Sequence, residues 1–172
     1  RFQDRTPFKD FAILYRGNHQ SRLFEKYLRE SQIPYQLTGG TSFFERTEVK
    51  DTLAYLRLLS NPDDDTAFLR VINTPKREIG TSTLEKLGEY AHHRQVSLFT
   101  AAQEMGFSER VSGRALERIE GFTGWINQLR HEAEHTPPPA MVKRLVGELR
   151  YEEWLHDTSN SPKMAEKRME NV

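Results

Sequence analysis

The residues of this sequence that are best suited to chemistry lie in one loop, Asn73-Thr-Pro-Lys-Arg-Glu-Ile-Gly80. Lys76 and Arg77 place two positive charges side by side, and Gly80 is followed by Ser82-Thr-Leu-Glu85, a pattern typical of a capped helix start. A helix N-terminus offers backbone N–H groups and the positive end of a dipole, so cations beside it favour a phosphate ligand. The loop therefore indicates a phosphate-binding site, although a capped helix with two solvated cations fits the same pattern.

A second candidate site follows the short apolar run Phe11-Ala-Ile-Leu-Tyr15. We expect this run to form a strand that is buried on both faces, because it is continuously apolar. A helix over 21–31 and a second strand over 33–37 would complete a parallel β-α-β unit, in which ligands bind at the carboxyl ends of the strands. Arg16 and Asn18 occupy that position, but isolated polar loop residues are also commonly only solvated.

The sequence does not contain a complete catalytic or metal site. It lacks a GxxxxGK[ST] phosphate loop, an HExxH zinc motif and a GxSxG nucleophile motif. Asp63-Asp-Asp65 supplies three carboxylates, but their place before an apolar helical stretch favours a helix cap over a divalent metal. His92 and His93 are adjacent, so they would point to different sides of a helix. We therefore expect that this stretch of chain alone binds no metal and no cofactor.

The composition restricts the class of protein. The 25 basic and 25 acidic side chains cancel, whereas proteins that coat nucleic acid are usually basic, so any such contact must come from a local patch. Cysteine is absent, which fits a reducing compartment, and no apolar run approaches the roughly 18 residues of a membrane span. We expect a soluble, cytoplasmic protein without membrane contact. Because the chain begins at Arg1 without a methionine, we also expect a segment of something longer.

Helical periodicity dominates the sequence after a pair of glycines, Gly39 and Gly40. Over 47–60, for example, Leu53, Leu56 and Leu59 recur at three-residue spacing. Adjacent glycines permit either a sharp turn into a core helix or a joint between two domains. The pattern therefore predicts a mainly α fold, in which a helical domain is attached to a short β-α-β piece of an α/β domain.

The sequence resembles a known family in six stretches that keep the family's order and spacing along nearly the whole chain. They are Leu14-Tyr-Arg-Gly-Asn18, Gly39-Gly-Thr-Ser-Phe-Phe44, Glu48-Val-Lys-Asp51, Asn61-Pro-Asp-Asp-Asp65, Asn73-Thr-Pro-Lys-Arg-Glu-Ile-Gly80 and Ser161-Pro-Lys163. On these motifs the chain is similar to the UvrD/Rep-like superfamily 1 DNA helicases, and within them to the Rep branch.

The resemblance implies a domain organisation. Helicases of this family have two RecA-like motor domains, each with an inserted helical domain. Residues 1–39 would then be a fragment of the second motor domain, called 2A. Residues 40–172 would be most of the helical insertion called 2B, truncated at its C-terminal end. Gly39 and Gly40 match the hinge about which that helical domain rotates.

The resemblance also implies residue roles. Tyr15 and Arg16 match the family's motif IV, where the aromatic ring stacks on adenine and the arginine reaches the γ-phosphate of ATP. Thr74, Lys76, Arg77, Ile79 and Gly80 match a loop that contacts the DNA duplex backbone. Family members often have Gly-Ile-Gly where this chain has Glu78-Ile79-Gly80. A carboxylate repels phosphate, so Glu78 weakens the case for direct duplex contact.

By this resemblance the chain is a fragment of an ATP-dependent 3′–5′ DNA helicase that translocates on single-stranded DNA and unwinds duplex. ATP and Mg²⁺ would bind only in the full enzyme, and the fragment alone is expected to be inactive. Its partners would be single-stranded DNA, the duplex junction, and proteins of DNA replication or repair. An exposed strand edge at 11–15 would also allow the fragment to dimerise.

Two other functions remain open. The helical domain could be a protein-interaction or autoinhibitory module of a helicase without direct DNA contact, which the zero net charge and Glu78 favour. The same domain could also serve a helicase–nuclease, which only flanking sequence would distinguish.

Overall fold

The computed structural model of the protein describes residues 6–17, 20–38 and 42–172. It divides into two compact units, Arg1–Lys50 and Asp51–Val172, and the division falls inside a helix. The domain boundary expected at residues 39 and 40 lies outside the described residues, so it stays a prediction. Among the helices described, none combines the length and the apolar character needed to cross a lipid bilayer.

The first unit contains little regular structure. Its described residues include 3₁₀ turns at Phe8–Asp10 and Phe43–Glu45, helix α1 (Ser21–Glu30) and the start of helix α2 (Thr47–Ser60). The strands predicted over 11–15 and 33–37 are wrong, because the described residues contain no strand. A strand needs a neighbour whose N–H and C=O groups pair with its own, and the described chain offers none. Leu14 is 93% exposed, so the expected burial is absent as well.

The regular structure of the second unit is entirely helical. After α2 follow α3 (Asp65–Val71), α4 (Thr81–Arg94), α5 (Leu98–Ala101), α6 (Met105–Ser108), α7 (Arg114–Ala133), α8 (Pro138–Glu148), α9 (Tyr151–Thr158) and α10 (Pro162–Met169). This succession confirms the mainly α fold that the sequence predicts.

Two helix starts show how the local sequence sets the helix bounds. Asp64 is the N-cap of α3, and its carboxylate accepts a hydrogen bond from the N–H of Ala67 at 2.9 Å. The acidic cap is therefore confirmed. The capping box predicted at Ser82–Glu85 is wrong, because α4 begins at Thr81 with Gly80 as its N-cap and no side-chain cap bond. Ser82 lies inside the first turn, where it no longer occupies the capping position.

One hydrophobic core holds the second unit together. Helices α2 to α8 all contribute buried side chains, and those that are completely buried include Leu58, Phe68, Leu87, Ile126 and Leu145. Burying a side chain of this size contributes roughly 1.5–3 kcal/mol. A smaller cluster around Tyr151, Leu155 and Ala165 packs α9 against α10. The loop between α3 and α4 is thus carried by helices whose buried faces fix their positions.

A buried carboxylate joins three of these helices. Asp51 on α2 accepts a hydrogen bond from the Tyr151 hydroxyl of α9 at 3.0 Å. Its other oxygen lies 2.7 Å from Nη2 of Arg70 on α3, and only 4% of the Asp51 side chain is exposed. A buried charge is stable only with such partners, so Asp51 fixes α9 and α3 relative to α2.

Candidate nucleic-acid interface

The loop between α3 and α4 is closed by hydrogen bonds at its base. Asn73 donates from Nδ2 to the C=O of Ile79 at 2.8 Å, and its Oδ1 accepts from the N–H of Ile79 at 3.1 Å. The Thr74–Pro75 peptide bond is cis, and the C=O of Thr74 accepts a hydrogen bond from the Tyr55 hydroxyl. Ile79 is 3% exposed and packs in the core. The three residues 76–78 therefore form the tip of a fixed loop.

Arg77 lies beneath this loop and faces the interior. Its Nη2 donates to the hydroxyl of Tyr55 at 2.8 Å. Its Nη1 donates to three backbone carbonyls, those of Val71 at 2.8 Å, Ile72 at 3.2 Å and Pro75 at 3.2 Å. A planar guanidinium with several fixed donors is well matched to such a cluster of acceptors. Arg77 therefore ties the end of α3 to the loop.

Aromatic rings complete the surroundings of Arg77. Its guanidinium carbon lies 4.7 Å from the ring centroid of Phe122 and 5.9 Å from that of Trp125, both on α7. Contacts at these distances add a cation–π attraction. The DNA contact that the sequence assigns to Arg77 stays a prediction. The geometry favours a different role for Arg77, which is to support the loop from below.

Tyr55 supports the loop from below, and the sequence alone did not identify it. It is completely buried on α2, and its hydroxyl also donates to the C=O of Val71 at 3.2 Å. Burial raises the pKa of Tyr55 to about 12, and the nearby Arg77 opposes that rise only in part. A second stripe of α2 follows helical spacing and is buried, at Asp51, Ala54, Tyr55 and Leu58. This spacing in the sequence could have indicated that Tyr55 faces the core.

Lys76 has the opposite setting to Arg77. Its side chain is exposed at the tip of the loop, and within the described residues no ion pair engages its ammonium group. Lys76 is therefore a cation that the fold positions without neutralising.

Glu78 completes the tip of the loop and pairs with α7. Its carboxylate forms an ion pair with Arg118 Nη2, and Nη1 of Arg118 also donates to the C=O of Glu78 at 3.1 Å. A pair this exposed contributes at most about 1 kcal/mol. The φ of Glu78 is 54°, a left-handed conformation that favours glycine, which gives a physical reason for the Gly-Ile-Gly pattern of the resembling family.

A groove of about 640 Å³ runs beside the loop. Its lining comes from the loop, α7 and the end of α8, and consists of Pro75, Lys76, Arg77, Glu78, Arg118, Gly121, Phe122, Trp125, Glu148 and Leu149. Glu148 accepts hydrogen bonds from Nε1 of Trp125 and from Nε of Arg144, both at 2.7 Å. These bonds, with that of Trp125 the strongest, outweigh burial and lower the pKa of Glu148. The groove thus combines cations with two carboxylates.

The motif IV residues lie in the first unit. The ring of Tyr15 stacks on Phe24 of α1, with centroids 6.1 Å apart and planes at 21°. The N–H groups of Arg16 and Gly17 both donate to Oε1 of Gln20 at 3.1 Å, and the side chain of Arg16 is exposed. An exposed guanidinium and an aromatic ring fit the edge of a nucleotide site, while the sequence contains no phosphate loop. Asn18 lies outside the described residues.

The proposed hinge glycines, Gly39–Gly40, also lie outside the described residues, so the hinge stays a prediction. The segment after them is attached to α1 through Glu25, which is 1% exposed. Glu25 accepts hydrogen bonds from Tyr35 Oη at 3.1 Å, from the N–H of Phe43 at 3.2 Å, and from Ser42 Oγ. Burial alone would raise the pKa of Glu25, but these hydrogen bonds together lower it.

The three aspartates at 63–65 serve the fold as hydrogen-bond acceptors. Asp63 accepts from Oγ of Ser97 at 2.6 Å, and Asp65 accepts from the N–H of Leu98 at 2.8 Å. Asp64 caps α3 as described above. Over the described residues, no group of three or more His, Asp or Glu side chains is arranged to hold a metal ion.

Comparison with known proteins assigns the family. Residues 2–153 match the family described as UvrD-like helicase C-terminal domain. The chain is 57% identical over 171 residues to "ATP-dependent DNA helicase Rep" of Escherichia coli, covering 99% of this chain and 25% of that protein. It is 39% identical over 168 residues to "ATP-dependent DNA helicase PcrA" of Bacillus subtilis, covering 98% and 22%. It is 42% identical over 135 residues to "DNA helicase II" of Escherichia coli, covering 78% and 19%. The chain thus spans about a quarter or less of the length of these relatives. From the matched domain and these identities, the chain belongs to the family of UvrD-like helicases.

Proposed function

We propose that this chain is part of a cytoplasmic ATP-dependent DNA helicase that moves 3′ to 5′ on single-stranded DNA. Its relatives Rep and PcrA are named ATP-dependent DNA helicases and align with nearly all of it. In this proposal residues 1–39 belong to the 2A motor domain and residues 40–172 to the helical 2B domain. The chain's own task is to engage duplex DNA ahead of the motor and to supply one arginine to the ATP site.

The observation that carries the DNA-binding part is the setting of Lys76. It is an exposed cation at the tip of a loop whose base is closed by Asn73 and Ile79. Contacts to DNA phosphates position a protein on the duplex and supply most of its salt-dependent affinity. A loop that is already fixed loses little conformational entropy when it binds. Lys76 is therefore suited to a phosphate contact that does not depend on base sequence.

The five loop residues predicted to contact DNA have different roles in this proposal. Lys76 contacts a phosphate, whereas Arg77 and Ile79 hold the loop from below. Thr74 contributes its carbonyl to the same internal network. Gly80 is exposed, and nothing lies within 4 Å of the place where a Cβ would stand, so its backbone is open to a ligand.

Arg16 and Tyr15 are proposed to act at ATP in the complete enzyme. When bound, ATP with Mg²⁺ supplies the phosphoryl group whose hydrolysis drives translocation. Arg16 would contact the γ-phosphate, because an exposed guanidinium can neutralise charge that develops there. Tyr15 would stack on the adenine ring, in place of or beside its present neighbour Phe24.

The proposal is tested in the full-length enzyme that carries this chain. Lys76→Ala should slow the unwinding of a tailed duplex severalfold, because the loop no longer holds the duplex. ATP hydrolysis stimulated by single-stranded DNA should be retained, since the motor does not use this loop. Lys143→Ala removes an exposed lysine from α8 and is the matched control. If Lys76→Ala unwinds the tailed duplex as fast as Lys143→Ala, the proposed duplex contact is wrong.

The second candidate function is a protein-interaction or autoinhibitory module. The observation that favours it is the charge balance of the groove, where Glu78 and Glu148 lie among the cations. On that account duplex DNA would bind weakly, and Lys76→Ala would leave its affinity unchanged. The salt dependence of binding distinguishes the two functions, because phosphate contacts release counterions and protein docking through a balanced surface does not.

A further inference from the structure

We propose that Arg118 is a second phosphate-binding residue of this interface, and that Glu78 holds its guanidinium until a DNA phosphate displaces the carboxylate. The inference rests on the proposed function, in which duplex DNA approaches the loop tip. It adds to the DNA interface a residue on α7, Arg118, which lies outside the loop. It also identifies Glu78 as a group within the protein that competes with phosphate for Arg118.

Arg118 is placed for this role by the helix that carries it. It follows the start of α7 by one turn and lines the same groove as Lys76. The next residue, Ile119, is completely buried, so α7 is fixed at this point by the core. The side chain of Arg118 is 35% exposed. A ligand that enters the groove beside Lys76 therefore meets a second cation on a rigid support.

Glu78 presents to Arg118 the chemistry that a phosphate would present. Its carboxylate accepts from Nη2 of Arg118. Carboxylate and phosphate oxygens are both natural acceptors for the guanidinium group. The position that Glu78 occupies is thus an anion position formed by the protein and filled by its own side chain.

The pair is built so that an external anion can replace Glu78. The side chain of Glu78 is 61% exposed and can turn into water without becoming buried. Water and salt screen an ion pair of this exposure, so its contribution is small. Duplex DNA, in contrast, presents closely spaced phosphates and releases counterions when they are neutralised.

The other arginines that line or border the groove lack this freedom. Arg77 donates to three carbonyls and to Tyr55 beneath the loop. Arg144 pairs with both Glu132 and Glu148. Releasing either side chain would break several interactions at once. Arg118 has a single carboxylate partner among the described residues, and that partner is exposed.

The test is the affinity of the 172-residue chain for a fluorescein-labelled tailed DNA duplex, measured by anisotropy over a potassium chloride series. Glu78→Gln should tighten binding at low salt by about three- to tenfold, because the carboxylate no longer competes with a phosphate for Arg118. Its log–log salt slope should stay close to that of wild type, since both form the same number of phosphate contacts. Glu109→Gln removes the same charge from an exposed site that does not line the groove, and should tighten binding less.

A double-mutant cycle tests whether the gain in affinity of Glu78→Gln depends on Arg118. Combining Arg118→Gln with Glu78→Gln should abolish the gain in affinity and make the salt slope shallower by about 0.9, since the phosphate contact of the guanidinium is lost. Combining Arg118→Lys with Glu78→Gln keeps the positive charge but loses the paired donors of the guanidinium group. This variant should retain part of the gain in DNA affinity. Thermal melting of each variant shows that the fold is intact.

Three outcomes separate the inference from the function on which it rests. If Glu78→Gln binds no better than Glu109→Gln, or if its gain survives the loss of Arg118, the role of Arg118 is wrong. If either result is found while Lys76→Ala still weakens binding, Lys76 contacts the duplex as proposed and Arg118 does not. If Lys76→Ala has no effect while the Glu78 and Arg118 variants behave as expected, the phosphate contact belongs to α7 and the contact through Lys76 is wrong.

Discussion

Nη2 of Arg77 lies 2.8 Å from the hydroxyl oxygen of Tyr55, to which it donates a hydrogen bond beneath the loop. The adjacent cation, Lys76, is exposed at the tip of the same loop. Two neighbouring positive charges therefore have different tasks, one inside the fold and one toward solvent. Exposure alternates along the loop, since Lys76 and Glu78 are exposed while Arg77 is half-buried and Ile79 is buried.

Arg77→Ala should lower the free energy of unfolding by about 2–4 kcal/mol, because several carbonyls and the Tyr55 hydroxyl lose their donor and the rings lose packing. Lys76→Ala should change it by less than about 0.5 kcal/mol, as expected for an exposed site. Urea unfolding followed by circular dichroism measures both. Equal midpoints for the two variants would contradict the assignment of Arg77 to the interior.

The buried Tyr55 should make the second unit sensitive to alkali. Its folded pKa of about 12 exceeds the ordinary value of 10. The protonated hydroxyl therefore contributes its full stability below about pH 10, and the contribution disappears as the pH rises through about 12. The shift corresponds to about 2–3 kcal/mol.

The measurement compares the free energy of unfolding of wild type and Tyr55→Phe across this range. The wild type should be more stable at neutral pH by about 1 kcal/mol, because its hydroxyl makes hydrogen bonds. Its advantage should shrink and then reverse as the pH rises, since phenylalanine cannot ionise. A difference that is constant with pH would show that Tyr55 does not titrate as proposed.

Removing the carboxylate of Asp51 should be among the more destabilising single changes. Asp51→Ala removes a buried carboxylate that pairs with Arg70 and accepts a hydrogen bond from Tyr151, and should cost about 2 kcal/mol, since Arg70 is partly exposed and can be solvated. Tyr151→Phe removes only one hydrogen bond to the same carboxylate and should cost about 1 kcal/mol. Denaturant titration of both variants tests the order. If Tyr151→Phe proved the more damaging, packing rather than the charge network would hold α9.

The 172-residue chain alone should not hydrolyse ATP, because it contains no phosphate loop to hold the triphosphate. In the complete enzyme, Arg16→Ala should strongly reduce ATP hydrolysis while leaving the fold intact. Release of phosphate from ATP is the measurement in both cases. Turnover by the isolated chain that rises with its concentration, and that Arg16→Ala abolishes, would show that the chain carries an ATPase site of its own.

The helices could be predicted because their signals are local. The stretch 47–60 has helical spacing and a polar stop at Asn61-Pro62, and α2 spans these residues in the structure. The buried face of α2 was harder to predict, because two apolar stripes compete. Leu53 is 40% exposed, whereas Tyr55 and Leu58 are completely buried. Periodicity identifies a helix but cannot choose between faces that both carry apolar residues.

The strands and the task of Arg77 could not be predicted for a different reason. A strand at 11–15 depends on partners that its own sequence does not specify, and the described chain supplies none. The position of Arg77 depends on carbonyls and rings from α3 and α7, which only the tertiary structure brings together. The loop sequence shows that two cations are adjacent, but it does not say which of them faces outward.

Lys76 is proposed to bind a phosphate of duplex DNA, and the salt dependence of binding by the 172-residue chain measures that contact. Relative to wild type and to the control Lys143→Ala, Lys76→Ala should bind the tailed duplex more weakly. Its plot of log affinity against log salt should be shallower by about 0.9, the effect of one lost phosphate contact. If a folded Lys76→Ala shows the affinity and the slope of wild type, the loop does not contact the duplex through Lys76.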